Sequence, residues 1–234
     1  MDVLAIAAHP DDVEQTCGGT LLKMAQQGYR TGVLDLTAGE MGTRGTPEIR
    51  LREAEVAGKL LMLNWRGNLR FPDARLENTI SARMTLAMEI RRLRPRTVIL
   101  PYWEARHPDH YRAGELAFEA CFLAGIRKLD PETEPHRPFK VIYSSLYANV
   151  TPSFVVDITG QLDQRMAALF SYESQYGESG EASGLFPRQQ EIRDRLTAIA
   201  RFYGNLIAVK YGEPFVVKET MRVDDIVAME VRSF

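Results

Sequence analysis

The sequence predicts an α/β protein with a mostly parallel sheet flanked by helices and a ligand site at the C-terminal ends of the strands. Three observations carry that prediction. Short apolar, strand-like runs alternate with stretches of helical periodicity along the first half of the chain. The opening order is strand, helix, strand, which fits a parallel unit with a right-handed crossover. Histidine-rich loops follow two of the apolar runs, at the place where open parallel sheets bind ligands. With 234 residues, 45% of them hydrophobic and 26% charged, the chain can bury one substantial core, and a single domain spanning 1–234 is expected.

Residues 2–8 (DVLAIAA) form a buried strand that stops at His9-Pro10-Asp11-Asp12, where a proline and an acidic pair break regular structure. Apolar positions at Leu21, Leu22 and Ala25 ahead of Gly28 give a helix over 17–27. A second strand follows at 31–39 (TGVLDLTAG). Helices are expected over about 47–63 and about 78–93, then a continuous apolar strand at 97–103 (TVILPYW). The polar loop EARHPDH leads to a helix over about 111–127, and a proline-rich linker fills 130–138. KVIYSSLY and SFVVDI read as strands and 160–172 as an amphipathic helix. The segment 177–188, rich in Gly, Ser and Glu, reads as a mobile loop over the site.

Composition narrows the function. A formal charge of -2 and the lack of a long basic run argue against a surface for nucleic acid or anionic lipid, so a small-molecule partner is favoured. The opening apolar segment is too short to span a membrane and lacks the features of a secretory signal, and a cytoplasmic protein is expected. Cys17 and Cys121 form no metal-type or redox-type pair and read as small buried hydrophobes.

The chemistry concentrates in two motifs. His9-Pro10-Asp11-Asp12 follows the first strand, and His107-Pro108-Asp109-His110 follows the strand at 97–103 after a short spacer. Three of the four histidines and the carboxylates of Asp11, Asp12 and Asp109 lie there. Imidazole plus carboxylate suits zinc, whose catalytic sites keep three protein ligands and one open position; Fe(II) or another divalent metal can use a similar set. The ordinary alternative is turn and capping duty, with Asp12 capping the helix behind it. His136, alone in the linker, is assigned to structure.

Ala8-His9-Pro10-Asp11-Asp12-Val13-Glu14, with Gly18-Gly19-Thr20-Leu21 and the later His107-Pro108-Asp109-His110, resembles the LmbE/PIG-L-like N-deacetylases. GEMGTRGTPEIRLREAEVAGKLL at 39–61 and FYGNLIAVKYGEPF at 202–215 are similar to the bacillithiol-pathway branch, which acts on N-acetylglucosaminyl-malate. The resemblance implies a Rossmann-like domain, a small N-acetylated sugar as substrate and a homo-oligomer, trimeric or hexameric. It implies that His9, Asp12 and His110 bind Zn2+, that Asp11 is the general base, and that His107 stabilises the oxyanion or protonates the leaving amine. Asp109 would orient a histidine, and Arg50 would bind substrate. Gln15-Thr16 stands where the family often has an isoleucine-glycine pair.

Physical logic supports the same reading. Amide hydrolysis needs a strong nucleophile, stabilisation of charge on the carbonyl oxygen and a proton for the amine. Zinc chemistry covers the first two needs, and an acid/base residue adds on the order of 10² to 10⁴-fold. A dinucleotide oxidoreductase would need G-x-G-x-x-G after the first strand, where this chain has HPDDVEQTCGG. A magnesium phosphohydrolase would leave His9 and His110 without a purpose. Deacetylation of another N-acetylated sugar or small amide, or a non-catalytic metal- or sugar-binding module of the same fold, remain the alternatives.

Overall fold

The computed structural model describes residues 1–146, 148–177 and 187–231. In chain order the elements are β1 (Val3–Ala7), α1 (Asp12–Thr16), α2 (Gly18–Gln26), β2 (Thr31–Thr37), α3 (Pro47–Leu60), β3 (Trp65–Phe71), α4 (Ile80–Leu93), β4 (Thr97–Pro101), α5 (Pro108–Ala124), β5 (Lys140–Ser144), β6 (Phe154–Asp157), α6 (Leu162–Phe170), α7 (Glu173–Tyr176), α8 (Gln189–Asn205) and β7 (Gly212–Val216). The strands make one sheet in the order β3-β2-β1-β4-β5-β7-β6. The first five are parallel, and β7 runs antiparallel between β5 and β6. No helix among the described residues is long and apolar enough to cross a membrane.

Central position explains the unbroken apolar run of β1, since both faces are covered. Leu4 and Ile6, with Ala8 just beyond the strand, pack on one side with Leu86, Ile90, Leu116 and Ala117 of α4 and α5. Ala5 and Ala7 point the other way, to Val13, Cys17 and Leu21. Strand order reverses at β1, which has β2 on one side and β4 on the other. That reversal is the place where an open sheet leaves a crevice beyond its strand ends.

Several elements differ from the sequence reading. The helix expected over 17–27 is α2, but a further helix, α1, precedes it, and the two are broken at Cys17, whose φ of -140° interrupts the spiral. Arg165 fixes the break: it donates to the carbonyls of Glu14 (2.9 Å) and Gln15 (2.5 Å) at the end of α1. It also pairs with Glu213 (3.3 Å), which accepts from the first amides of α2, Gly19 at 2.9 Å and Thr20 at 2.7 Å. A buried carboxylate thus caps α2, as the helix dipole favours. The HPDH motif is no loop; His107 is the N-cap of α5 and Pro108 its first residue, a position proline suits. Strands β3 and β7 and helix α8 do not follow from the sequence pattern, and most of the loop expected over 177–188 lies outside the described residues.

Strand β3 is hidden because WRGNLRF reads as polar, yet the first of its two arginines has a buried purpose. Arg66 forks onto Asp35 of β2 (2.9 and 3.1 Å) and reaches Glu14 (2.5 Å). Glu14 is fully buried and Asp35 nearly so. Removing the guanidinium strands two carboxylates in the core. Arg66→Met should therefore lower unfolding free energy by about 3–5 kcal/mol, read as a shift in the urea midpoint; an unchanged midpoint would mean that the two carboxylates need no counter-charge.

Candidate metal centre

The parallel register of β1 with β4, Val3 opposite Thr97 and Ala5 opposite Ile99, brings both histidine motifs to one edge of the sheet. The turn after β1 is strained. Asp11 has φ 99° and ψ -20°, a left-handed conformation that side-chain-bearing residues rarely adopt. Such strain costs on the order of 1–3 kcal/mol and persists only where surrounding contacts enforce it. Neighbouring Asp11 and Asp12 face different partners. Asp12 accepts from the His9 amide (3.0 Å) and lies beside His110, whereas Asp11 meets Arg50 and Tyr176. Neither caps α1 from the N-cap position, where Asp11 makes no side-chain cap bond.

Three donor groups converge. His9 Nδ1 lies 3.3 Å from His110 Nε2 and 3.4 Å from Asp12 Oδ2, and His110 Nε2 lies 3.2 Å from Asp12 Oδ1. Ligands about 2.0–2.1 Å from a tetrahedral zinc are separated by about 3.3–3.4 Å. The triangle of residues has that spacing, His9 facing Oδ2 of Asp12 and His110 facing Oδ1, and its N, N, O donors suit zinc or Fe(II). Two further sets that could hold a metal share His9, one with His107 and His110 and one with Asp73 and Asp109.

The other ring nitrogen of His9 is also engaged. Nε2 meets Asp73 Oδ1 at 2.9 Å, and Asp109 Oδ2 lies at 3.6 Å. This partner places the ring proton on Nε2 and leaves the Nδ1 lone pair facing the triangle. Asp73 is itself held by the amides of Met41 (2.8 Å) and Ala74 (2.7 Å). Burial would raise its carboxyl, but His9 and these amides bring it to about 2. The same balance acts on His9, where burial alone would lower the imidazole and Asp109, Asp12 and Asp73 lift it well above its ordinary value. So many carboxylates around one ring make a place for positive charge.

Asp73 stands outside the two histidine motifs, although the sequence carries a signal for it. Pro72-Asp73 follows β3 as Pro10-Asp11 follows β1 and Pro108-Asp109 follows β4. Asp109 is fully buried and accepts from the amides of Ala74 (2.8 Å) and Leu76 (3.4 Å), so it ties the loop after β3 to α5. The closest carboxylate on His9 Nε2 is therefore Asp73, with Asp109 beyond it.

His107 stands exposed beside the triangle, its ring stacked on His110 with centroids 5.0 Å apart. Its Nδ1 accepts from the Asp109 amide (3.2 Å), which leaves the proton of the neutral ring on Nε2. Partial burial and the neighbouring His9 and His110 lower its pKa, favouring that neutral form. Asp11 is pushed up to about 6 by burial, against the pull of Arg50 and with the push of Asp12.

Arg50 reaches the expected edge but in a different way. It is 5% exposed and donates to Pro10 O (2.6 Å), Gly39 O (3.3 Å) and Asp11 Oδ1 (3.2 Å). Gly39, at φ 69°, makes room for it, since a Cβ there would overlap the guanidinium. The structure thus presents Arg50 as a clasp on the strained turn.

The diacetylchitobiose deacetylase of Thermococcus kodakarensis is 30% identical over 226 residues, covering 90% of this chain and 80% of that protein. A probable N-acetyl-alpha-D-glucosaminyl L-malate deacetylase 2 of Bacillus anthracis is 28% identical over 189 residues, covering 74% and 81%. The crystal structure of a conserved protein from Thermus thermophilus superposes with a TM-score of 0.86 at 41% identity, covering 96% of this chain and 98% of that one. Residues 4–121 match the GlcNAc-PI de-N-acetylase family, PIG-L, a stretch that includes both histidine motifs; the chain belongs to that family.

Proposed function

We propose that the chain is a zinc-dependent hydrolase that removes the acetyl group from an N-acetylglucosamine-type sugar. The observation that carries this reading is the donor triangle of His9, Asp12 and His110, with the carboxylate of Asp11 next to it in sequence but turned to other partners. When bound, the metal supplies Lewis-acid polarisation of the amide carbonyl and acidifies water. Asp11, near neutrality in its buried setting, accepts the proton of the attacking water. His107 offers Nε2–H to the negative charge that develops on the carbonyl oxygen. When the C–N bond breaks, Asp11 returns its proton to the nitrogen, so that acetate and a free amine leave.

A cavity of about 660 Å³ supports a substrate of sugar size, within the range of ligand pockets. It is lined by Gln15, Ser145, Asn149 and Tyr203 among others, and through Thr16 and Leu146 it borders the narrow space beside Asp12 and His110. The names of the relatives, deacetylases of diacetylchitobiose and of a glucosaminyl malate, point to the same class. N-acetylglucosaminyl-malate of bacillithiol biosynthesis is the narrower reading, and the Bacillus relative favours it. Arg50 lends it less support than the sequence suggested, because its guanidinium already has protein partners. Acetate release measured side by side on N-acetylglucosamine, its disaccharide and N-acetylglucosaminyl-malate decides between them. A cytoplasmic homo-oligomer is part of the proposal, and the exposed Phe202 and Leu206 of α8 and its C-terminal edge give it a surface.

His9→Ala or His110→Ala should strip most bound metal and nearly all acetate release; full zinc occupancy in either variant would overturn the ligand assignment. Asp11→Asn should keep its metal and substrate affinity while kcat falls by roughly 10² to 10⁴-fold. Should metal be lost in Asp11→Asn and kept in Asp12→Asn, the two roles are reversed. Arg50→Ala should slow neutral and malate-bearing substrates alike, by roughly 10-fold or more, since it loosens Asp11. A loss confined to the malate glycoside would return Arg50 to substrate binding.

A further inference from the structure

The short helix α7 lies far from both histidine motifs in sequence, yet its last residue touches the site. Tyr176 donates its hydroxyl to Asp11 Oδ2 at 2.5 Å, while Arg50 Nη2 approaches the opposite oxygen, Oδ1, at 3.2 Å. A carboxylate gripped at both oxygens cannot swing about its last side-chain bond, and each oxygen still keeps a lone pair for a proton. Asp11 needs such a grip, since its left-handed backbone is a conformation that the residue does not hold unaided.

The rest of α7 is tied down in turn. The Ser174 amide and hydroxyl both donate to the Glu53 carboxylate of α3, at 2.7 and 2.6 Å. Gln175 donates to the carbonyl of Arg44 (2.8 Å), and Arg44 donates back to the carbonyl of Gln175 (3.2 Å). The Ser174-Gln175-Tyr176 turn is thereby fixed to α3 and to the loop that follows β2. The residues of α7 are at most partly buried, with Tyr176 packed at the margin of two core clusters.

We infer that Tyr176 is a positioning residue for the reaction: it acts through Asp11, holding the carboxylate in the orientation that receives the proton, on a brace formed by Ser174 and Gln175. This rests on the reading of Asp11 as the proton acceptor. The ring is not what matters, since its edge-to-face contact with Phe170, centroids 5.9 Å apart, is kept by phenylalanine.

The test is a double-mutant cycle on the zinc-loaded enzyme, with acetate release from N-acetylglucosamine as the assay. Tyr176→Phe should lower kcat by roughly 10- to 100-fold, the loss expected for a hydrogen bond to a charged group. KM, metal content and thermal midpoint should stay at their wild-type values. In the Asp11→Asn background the same substitution should cost nothing further, because a group that acts only through Asp11 has nothing left to orient. Wild-type kcat in Tyr176→Phe overturns the inference, and so does an equal loss in both backgrounds, which would mean that the hydroxyl acts directly on substrate. A wild-type rate in Asp11→Asn brings down the proton-acceptor reading itself and the positioning role with it, which keeps the two failures apart.

Discussion

The pairing of β1 with β4 is the constraint on which the rest of the molecule depends. His9 and His110 are 101 positions apart in the chain, and their ring nitrogens lie 3.3 Å apart in space. Two adjacent parallel strands, one followed by the turn at Pro10-Asp11 and the other by the Pro108-Asp109 start of α5, bring them there. Helices α4 and α5 cover one face of this pair and α1 and α2 the other, so the site sits on a rigid, fully buried platform. The same reversal of strand order opens the crevice that the motifs line.

Charge is organised outward from that platform in alternating signs. Asp12, Asp73 and Asp109 surround His9; Arg50 neutralises Asp11; Arg66 lies between Glu14 and Asp35; Arg165 pairs with Glu213. Each of these groups would be costly to bury alone, and each is buried with a partner of opposite charge. The arrangement serves geometry as much as stability. Arg165 sets the break between α1 and α2, Arg50 clasps the strained turn, and Asp73 chooses the tautomer of His9. Specificity of shape is thus obtained from interactions that contribute little net free energy.

What was legible in the sequence follows a physical pattern. Apolar runs in central strands, the helices α3 and α4, and the two motifs could be read because local chemistry announces them. Thr46 and Thr79 accept from the amides of Ile49 and Ala82 as N-caps, and Pro47 stands at the first position of α3. Strand β3 could not be read, since its Arg66 pairs with residues of β2 and α1 that only the fold brings near. The two-helix form of residues 12–26 depends on Arg165, about 150 positions away. The motifs revealed their residue types but not every duty. The sequence shows that Arg50 is near the site, while only the packing shows that Asp11, Pro10 and Gly39 hold it. Tyr176 lay beyond reach for the same reason.

The insertion of β7 between β5 and β6 has a consequence for how the protein is made. β6 has no hydrogen bonds to β5; it joins the sheet only through β7. A chain emerging from the ribosome can assemble the five parallel strands once Ser144 is free, but β6 must then wait through α6, α7 and α8 for the residues that will bind it. Glu213, the cap of α2 and partner of Arg165, arrives in that same late strand. The pair α1 and α2, which opens at Asp12, therefore acquires its final geometry only after Glu213 has been made, so a nascent chain can pair β1 with β4 well before the turn at Asp11 and Asp12 is set.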